Sequence, residues 1–493
     1  MSRAAGSADG RVVAWKRGRN LIIVTNREPY VHTYADGDEI SCSIPTGGVT
    51  AALDPVMQDV GGTWIAWGSG GADADKVDSG DRVGVPPLRP KYLLRRVWLK
   101  KSEVRNYYYG YSNEGLWPLA HSLLSKVRFE KKQWNAYQSV NRRFAAAAAG
   151  ESADNDVVWV HDYHLTLVPG MLKKQNPSLT VAFFWHIPWP QFDVFRVCPQ
   201  HKQILAGMLA AGLIGFHIPR YCRNFLECVG RTFGEEALRS PTMPRVESFP
   251  VSVDFDEIET RASGADVAAK IAGLRDRYNL HGRLVACGVD RMDYTKGVPE
   301  RLEALEILFD RYPRFRGRFT LLQVCSPSRT ELSEYRSVKK RVRELTDRMV
   351  GRFATEDWTP VVVFHRKVPF ETILALYRMA DVGIVSPIAD GMNLVAKEFI
   401  AAQVDERGVL ALSQFAGAAG SIENALKFNP FERDSFAECV RTALEMPKRD
   451  KKAMIRRARR ELKKYTVFHW VREFLDATLE VASPAAGGAN TTH

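Results

Sequence analysis

The residues Asp390-Gly391-Met392-Asn393-Leu394-Val395-Ala396-Lys397-Glu398 follow an apolar run, Val382 to Pro387, with the length and composition of a buried parallel strand. The pattern predicts a helix from Leu394 with Asn393 as its N-cap. Such a helix start offers unpaired N–H groups and the positive end of the helix dipole, which suit a diphosphate. Asp390 is placed for sugar hydroxyls and Glu398 for a ribose. An ordinary strand-to-helix connection has the same local pattern, so the rest of the chain must decide.

Composition predicts a soluble two-domain protein. The chain has 493 residues, 45% hydrophobic and 26% charged, which is too long for a single core. No apolar run reaches membrane-span length, and the N-terminus lacks the apolar core of a signal peptide. The seven cysteines form no CxxC pair and sit mostly within apolar runs, as expected for reduced thiols in the cytoplasm. We expect no membrane partner, metal or cofactor, and homo-oligomerisation stays open.

The excess positive charge is confined to two segments. Residues 1–20 carry a net charge of +4 and residues 448–464 carry +8, which together equal the +12 of the whole chain. A flexible leader and a charged helix face explain this distribution better than a nucleic-acid groove. We therefore expect no nucleic acid, and binding of another partner by residues 448–464 stays open.

The first half of the chain alternates predicted strands and helices. The predicted strands are Leu21–Thr25, a short one at Trp64 and Trp67, Val157–Val160, Val181–Trp185 and Leu213–Phe216. Residues 70–92 are predicted as a loop, and the aromatic cluster at 107–118 fits either a core or a sugar pocket. Asp162 and His186 follow successive strands, at the edge where open parallel sheets bind ligands. The pair Gly47-Gly48 precedes a helix, where a ligand can approach the backbone closely.

A second series of strands begins after residues 249–254. The predicted strands are Leu284–Val289, Phe319–Val324, Val361–Phe364, Val382–Val385 and Val409–Leu412. Arg291 and Lys296, five residues apart after the first of these strands, supply two cations at one edge of the predicted cleft between the halves. Fixed cations stabilise the charge that develops on a departing nucleoside diphosphate.

The chain resembles the trehalose-phosphate synthase family of retaining glycosyltransferases from about residue 21 to about residue 475. The resemblance rests on many motifs in the same order along the chain. They are Asn26-Arg27, Gly47-Gly48, Tyr108 with Trp117-Pro118, Trp159-Val160-His161-Asp162-Tyr163-His164-Leu165, His186-Ile187-Pro188, Arg291-Met292-Asp293-Tyr294-Thr295-Lys296-Gly297, Ser328-Arg329 and Asp390–Glu398.

The resemblance implies an α/β fold of two Rossmann-like domains facing a cleft (GT-B), with a C-terminal helix that returns to the N-terminal domain. On that pattern we expect a disordered leader at 1–19, an acceptor-binding domain at 20–252 and a nucleotide-sugar-binding domain at 253–470. The returning helix is expected at 471–482 and a disordered tail at 483–493.

The resemblance also implies the site residues. The catalytic set is Arg291, Lys296, His186 and Asp390. The donor-binding set is Gly47, Gly48, His186, Arg291, Lys296, Val368, Asp390, Asn393, Leu394, Val395, Ala396, Lys397 and Glu398. The acceptor-binding set is Arg27, Tyr108, Trp117, Asp162 and Arg329. Within these sets, Arg291 and Lys296 hold the diphosphate and Val368 meets the base through its backbone.

The implied reaction transfers glucose from a nucleotide-glucose donor, UDP-glucose being favoured, to glucose-6-phosphate, giving trehalose-6-phosphate. Retention follows a front-side path, in which the leaving phosphate takes the acceptor proton and the protein supplies positioning and charge stabilisation. Whether the donor carries UDP, GDP or ADP is not fixed by side-chain identity.

Three alternatives remain. The segments at 27–30 and 215–221 resemble the glucosylglycerol-phosphate synthases, which use glycerol-3-phosphate and usually ADP-glucose, but Gly47-Gly48 and Arg329 favour a hexose phosphate. The pseudo-glycosyltransferases lose much of the motif that starts at Arg291, which this chain keeps. A non-catalytic sugar-phosphate sensor should lack one of the donor groups, and all are present. No Asp-x-Asp phosphatase signature follows, so a synthase alone is expected.

Overall fold

The computed structural model describes residues 19–35, 39–45 and 48–482. The chain forms two compact units. One unit comprises the residues up to Val251 together with those from Val467 onward, and the other is Ser252–Thr466. The disordered leader and tail expected at 1–19 and 483–493 lie, except for Arg19, outside the described residues.

The first unit is built on an eight-stranded sheet of order β10-β9-β8-β7-β1-β4-β6-β5, parallel except for the β5–β6 pair, with a separate β2–β3 hairpin. Its strands are β1 (Leu21–Arg27), β2 (Val31–Tyr34), β3 (Ile40–Ser43), β4 (Thr63–Trp67), β5 (Arg82–Val85), β6 (Tyr92–Val97), β7 (Val157–His161), β8 (Thr180–Phe184), β9 (Leu213–Phe216) and β10 (Arg245–Ser248). Its helices are α1 (Gly48–Val60), α2 (Lys101–Glu103), α3 (Trp117–Ala120), α4 (Lys131–Glu151), α5 (Val168–Gln175), α6 (Phe192–Phe195), α7 (His201–Met208) and α8 (Pro219–Phe233), with a π-helix at Val104–Leu116. The strands predicted from Leu21, Trp64, Val157, Val181 and Leu213 are confirmed.

The prediction of a loop over residues 70–92 is wrong. Strand β5 lies within it and pairs antiparallel with β6, whose first residue is Tyr92. The sequence signal is weak because β5 is an edge strand of only four residues, contains Gly84, is followed by Pro86 and buries fully only Val85.

The second unit is built on a six-stranded, fully parallel sheet of order β13-β12-β11-β14-β15-β16. Its strands are β11 (Leu284–Arg291), β12 (Phe319–Ser326), β13 (Val361–Phe364), β14 (Val382–Val385), β15 (Val409–Ser413) and β16 (Leu426–Phe428). Its helices are α9 (Phe255–Ser263), α10 (Ala265–Arg277), α11 (Val298–Arg311), α12 (Ser333–Phe353), α13 (Phe370–Met379), α14 (Leu394–Ala402), α15 (Arg433–Glu445) and α16 (Lys448–Lys464). All five strands predicted in this half are confirmed.

Register explains why the predicted site residues of this unit gather at one edge. Strands β11 and β12 pair in parallel from Leu284–Phe319 to Arg291–Ser326, and β14 runs in the same direction beside β11. The carboxyl ends of all these strands therefore meet at the same edge of the sheet, where open parallel sheets bind ligands. The strands themselves read as continuous apolar runs because helices cover both faces.

The last helix, α17 (Val467–Ala482), belongs to the first unit. It buries Trp470 and Phe474, and the Phe474 ring stacks on Trp159 of β7 at 4.4 Å between ring centroids. Truncating either aromatic to alanine would cost about 3–5 kcal/mol in a site this well packed. The α/β class and the helix that returns to the N-terminal domain are thus confirmed.

Candidate functional site

The carboxyl edge of the second sheet brings Lys296 and Asp390 together. Lys296 Nζ lies 2.5 Å from Asp390 Oδ2, and both side chains are largely buried. The Asn393 side-chain amide donates to the same carboxylate oxygen at 3.0 Å. Residues 94 apart in sequence are therefore joined because the strand preceding each ends at the same edge.

Helix α14 begins as the sequence predicted, with Asn393 as its N-cap. The Asn393 backbone is left-handed, at φ 77°, and its side-chain oxygen accepts from the Ala396 N–H at 3.3 Å. That bond occupies the amide of Ala396, so Leu394 and Val395 carry the first-turn N–H groups that remain for an anion. The positive end of the helix dipole points towards the Asp390 loop.

Farther along the same helix, Lys397 is buried and Glu398 is partly buried. Tyr377 of α13 donates its hydroxyl to Glu398 Oε2 at 3.0 Å, and burial raises the pKa of the Glu398 carboxyl. Burial also lowers the pKa of the Lys397 ammonium to about 7. Tyr377 has no signal in the sequence, because it comes 21 residues before Glu398 on another helix.

Arg329 is held by a buried carboxylate. Its guanidinium donates to Asp293 Oδ2 at 3.3 Å and to the hydroxyl of Tyr335, which itself donates to Asp293 at 3.2 Å. Burial acts to raise the pKa of Asp293, but the charges of Arg329, Arg291 and Lys296 outweigh it and hold that pKa below its ordinary value.

The other oxygen of Asp293 shapes the loop that carries Lys296. It accepts from both the backbone N–H and the hydroxyl of Thr295, each at 3.0 Å, and so caps the 3-10 turn Tyr294–Lys296. Asp293 lies inside the motif quoted above, but no role was predicted for it. Val368 is buried in the connection between β13 and α13, also beyond the carboxyl end of a strand.

In the first unit, an aromatic chain connects three of the predicted acceptor-binding residues. The Arg27 guanidinium, at the end of β1, donates to the hydroxyl of Tyr108. Tyr108 stacks on His164 at 5.8 Å, His164 contacts Tyr163 at 3.9 Å, and Tyr163 contacts Trp117 at 5.8 Å between ring centroids.

Asn113 hydrogen-bonds two residues of this series of aromatic contacts. Its amide donates to the Tyr108 carbonyl at 2.7 Å, and its side-chain oxygen accepts from the Tyr163 hydroxyl at 2.8 Å. Tyr107 and Tyr111 of the aromatic cluster at 107–118 are fully buried and belong to the core, while a sugar pocket at this cluster stays a prediction.

Asp162 and His186 lie together at the ends of β7 and β8. Asp162 has a left-handed backbone, at φ 72°, and its carboxylate accepts from the His186 backbone N–H at 3.3 Å. Burial, with the neighbouring His161 and His217, holds the pKa of His186 well below its ordinary value. His186 is therefore a neutral hydrogen-bonding group, and its Nε2 lies 2.9 Å from Nδ1 of His161.

Two remaining predictions concern the glycine pair and the basic segment. Gly48 is the first residue of α1, and Gly47 lies outside the described residues. The basic segment forms α16, and part of its charge is neutralised within its own unit. Arg456 pairs with Glu406 at 2.7 Å, and Arg459 pairs with Glu259 at 2.5 Å.

Within the described ranges, no group of three or more His, Cys, Asp or Glu side chains is placed to hold a metal ion. No helix of the described residues combines the length and apolar character needed to cross a bilayer. The seven cysteines are all free, and five of them are buried.

Comparison with known proteins defines the class. The chain is 34% identical to the UDP-forming alpha,alpha-trehalose-phosphate synthase of Pichia angusta, over 92% of this chain and 98% of that protein. It is 35% identical to synthase A of Dictyostelium discoideum over 91% of this chain, and it spans 61% of that longer protein. Its fold matches the Burkholderia xenovorans synthase, solved in complex with glucose-6-phosphate, with a TM-score of 0.83 and 30% identity over 93% of this chain and all of that one.

The protein is a glycosyltransferase. The family model described as "Glycosyltransferase family 20" matches residues 19–480, and the chain belongs to that family.

Proposed function

We propose that the protein transfers glucose from UDP-glucose to glucose-6-phosphate with retention, forming alpha,alpha-trehalose-6-phosphate and UDP. The observation that carries the proposal is the pairing of Lys296 with Asp390 beside the capped start of α14. This arrangement offers a cation, a sugar-binding carboxylate and free helix N–H groups within one small region. Relatives named UDP-forming synthases, and a related structure holding glucose-6-phosphate, support this donor and this acceptor.

On the donor side, the second unit supplies fixed charge where the leaving group becomes negative. Lys296 and Arg291 meet the diphosphate, together with the N–H groups of Leu394 and Val395. Glu398, held by Tyr377, accepts from the ribose. Because these groups are in place before reaction, they stabilise the departing UDP without reorganisation, which is commonly worth about 3–4 kcal/mol for a single donor.

In this proposal, donor binding breaks the salt bridge between Lys296 and Asp390. Lys296 exchanges the Asp390 carboxylate for the diphosphate, and Asp390 turns to the glucose hydroxyls. In the unliganded protein each charge neutralises the other, so neither is left unpaired in a largely buried position.

On the acceptor side, Arg27 and Tyr108 bind the phosphate of glucose-6-phosphate, with Trp117 and Asp162 bordering its sugar. The Arg27–Tyr108 contact orients a guanidinium for charge-assisted bonds to phosphate oxygens. Arg329 joins this set in the proposal, and Asp293 fixes its guanidinium.

No protein group is needed as the base. His186 is neutral and is suited to hydrogen-bond the donor glucose rather than to carry charge. The leaving phosphate oxygen takes the proton of the attacking hydroxyl on the same face, and the new glycosidic bond forms as the old C–O bond breaks. The protein then contributes positioning and charge stabilisation.

We also propose that the protein acts in the cytoplasm. Burial raises the pKa of the Cys198, Cys228 and Cys287 thiols, which keeps them protonated and unreactive, as structural thiols in a reducing compartment are.

The test is a matrix of UDP-, GDP- and ADP-glucose against glucose-6-phosphate and glycerol-3-phosphate, with nucleotide release measured and the product identified by NMR. We expect trehalose-6-phosphate with UDP-glucose and an α,α linkage. Lys296→Met should abolish most of the activity, and Lys340→Met, at a lysine whose side chain is 81% exposed, serves as the matched control.

Three outcomes would each contradict part of the proposal. Product with glycerol-3-phosphate alone would show that the protein is a glucosylglycerol-phosphate synthase. Product with ADP- or GDP-glucose alone would correct the donor. Binding of both substrates without any product would indicate a sugar-phosphate sensor.

A further inference from the structure

A fully buried guanidinium is hydrogen-bonded to a residue that contacts the candidate donor site. Arg301 of α11 is 0% exposed, and its Nη1 donates to Asp290 Oδ2 at 2.8 Å and to the side-chain oxygen of Gln323. Asp290 lies near the carboxyl end of β11, and Gln323 lies on the neighbouring strand β12. A Cβ on Gly288 would lie 2.0 Å from Arg301 Nη1, so the guanidinium fills the space that this glycine leaves.

The other side of the guanidinium fixes the hydroxyl of Ser386, the residue that follows β14. Arg301 Nε and Nη2 lie 3.1 and 2.9 Å from Ser386 Oγ. A guanidinium can only donate, so the serine oxygen must accept both bonds. Its single proton is therefore directed elsewhere, and the Gly297 carbonyl lies 3.0 Å away to receive it.

This hydrogen bond joins the two segments that carry the site. Gly297 directly follows Lys296, and Ser386 comes four residues before Asp390. The Lys296–Asp390 salt bridge is a second contact between the same two segments. Any change in the separation of Ser386 from Gly297 therefore changes where the ammonium and the carboxylate stand.

The two segments also lie too close together for any side chain at Gly297, which ends the 3-10 turn and precedes α11. Gly297 has φ 64°, and a Cβ there would lie 1.9 Å from the Ser386 carbonyl oxygen. A backbone bond from the Ile388 N–H to the Thr295 carbonyl, at 2.9 Å, continues the contact towards the site. The Ser386 hydroxyl adds a buried side-chain hydrogen bond to this junction.

We infer that Ser386 is a positioning residue for glucosyl transfer: its hydroxyl, oriented by Arg301, sets the spacing between Lys296 and Asp390. The inference rests on the function proposed above. Ser386 itself is 0% exposed, so we assign it positioning and no contact with substrate. Displacing a reactive group by about 1 Å can cost on the order of 100-fold in rate, so loss of one buried hydroxyl is expected to reach the chemistry.

The experiment compares Ser386→Ala, which removes the hydroxyl, with Ser386→Thr, which keeps it. Thr320→Ala is the matched control. Thr320 is equally buried and lies at the amino end of the same sheet; its hydroxyl donates to the Thr359 carbonyl at 2.9 Å and accepts from Trp358 at 3.1 Å. For each variant, kcat, both KM values, the Kd of UDP by calorimetry and the Tm are measured.

The expected result for Ser386→Ala is a fall of about 10–100-fold in kcat/KM for UDP-glucose and about tenfold weaker UDP binding. The KM of glucose-6-phosphate should stay within about twofold. Ser386→Thr should restore most of the donor-side loss. Thr320→Ala should lower the Tm to a similar extent and leave the kinetic constants unchanged.

The inference is overturned if Ser386→Ala lowers the Tm while donor kinetics and UDP affinity match the wild type, or if Thr320→Ala reproduces its kinetic defect. Should Ser386→Ala fail to fold, Ser386→Cys takes its place with the same expected split, since a thiol is close in size and a weak hydrogen-bond partner. If the wild type binds UDP but transfers no glucose, the proposed function fails, and UDP affinity alone then decides the role of Ser386.

Discussion

The replacement Arg329→Met tests the ion pair between Arg329 and Asp293, the carboxylate that caps the turn carrying Lys296. Methionine keeps much of the apolar length of the arginine stem but has no charge, so Asp293 loses the cation paired with it at 3.3 Å. Asp293 is 0% exposed, and Arg329 lies 3.3 Å from its Oδ2. In the variant, the negative charge of the buried Asp293 carboxylate is therefore neutralised less well by the cations that remain.

The magnitude follows from the burial of both partners. Removing one member of a buried ion pair costs about 3–5 kcal/mol, because the remaining charge stays desolvated. For a unit of this size, 1 kcal/mol shifts the Tm by about 2–4 °C, so a fall of about 10 °C is expected at pH 7.

The pH dependence gives the sharper signature. A carboxyl whose folded pKa is lowered adds stability above its unfolded pKa, about 3.9, and loses that stability as the pH falls through the folded value. Arg329→Met raises the folded pKa of Asp293, so the stabilities of the variant and the wild type differ most at neutral pH, where both carboxyls are ionised. The difference should narrow as the pH falls through the folded pKa of the variant's carboxyl, because protonation removes its buried charge while the wild type keeps its ion pair.

The assay is calorimetric melting at several pH values between 4 and 8. Arg336→Met is the control, because the exposed Arg336 guanidinium donates to the backbone carbonyls of Thr330 and Glu331 and not, among the described residues, to a carboxylate. Adding Asp293→Asn to Arg329→Met should recover part of the lost stability, since no buried charge then remains. A loss in Arg329→Met that is the same at every pH, or no recovery in the double variant, would refute the reasoning.

Three further predictions concern the donor side. Lys296→Met should lower kcat/KM for UDP-glucose by about 100–1,000-fold, measured in initial-rate assays beside Lys340→Met; an unchanged rate would remove Lys296 from the site. Tyr377→Phe deletes the bond to Glu398 and should weaken UDP binding about 3–10-fold in calorimetry, and equal affinity would contradict a ribose role for that carboxylate. Burial lowers the pKa of Lys397 to about 7, so between pH 7 and 10 the unfolded chain binds a proton that the folded protein lacks, and stability rises with pH. Lys397→Met should flatten this rise in Tm, and an unaltered slope would show that Lys397 is not its source.

Sequence patterns alone determined the α/β class, five of the eight strands in the first sheet, five of the six in the second, and the start of α14. These features depend on local signals: unbroken apolar runs, turn residues at their ends and a capping side chain at Asn393. Edge strands such as β5 escaped notice because they bury little and carry few apolar residues.

The site residues were reached by motif and by position after strands, which places them at one sheet edge but says nothing of their partners. Which side chain neutralises Lys296, what holds Arg329 and what orients Glu398 depend on residues 94, 36 and 21 positions away. No local pattern contains that information.

The sequence by itself determined which groups reach the carboxyl edges of the sheets, because strand direction fixes where each strand ends. Only the tertiary structure decided how those groups are paired, and the Arg301–Ser386–Gly297 bonds illustrate the difference. Burial removes the water that would otherwise satisfy each polar atom, so the partner of every buried donor is set by packing between distant segments.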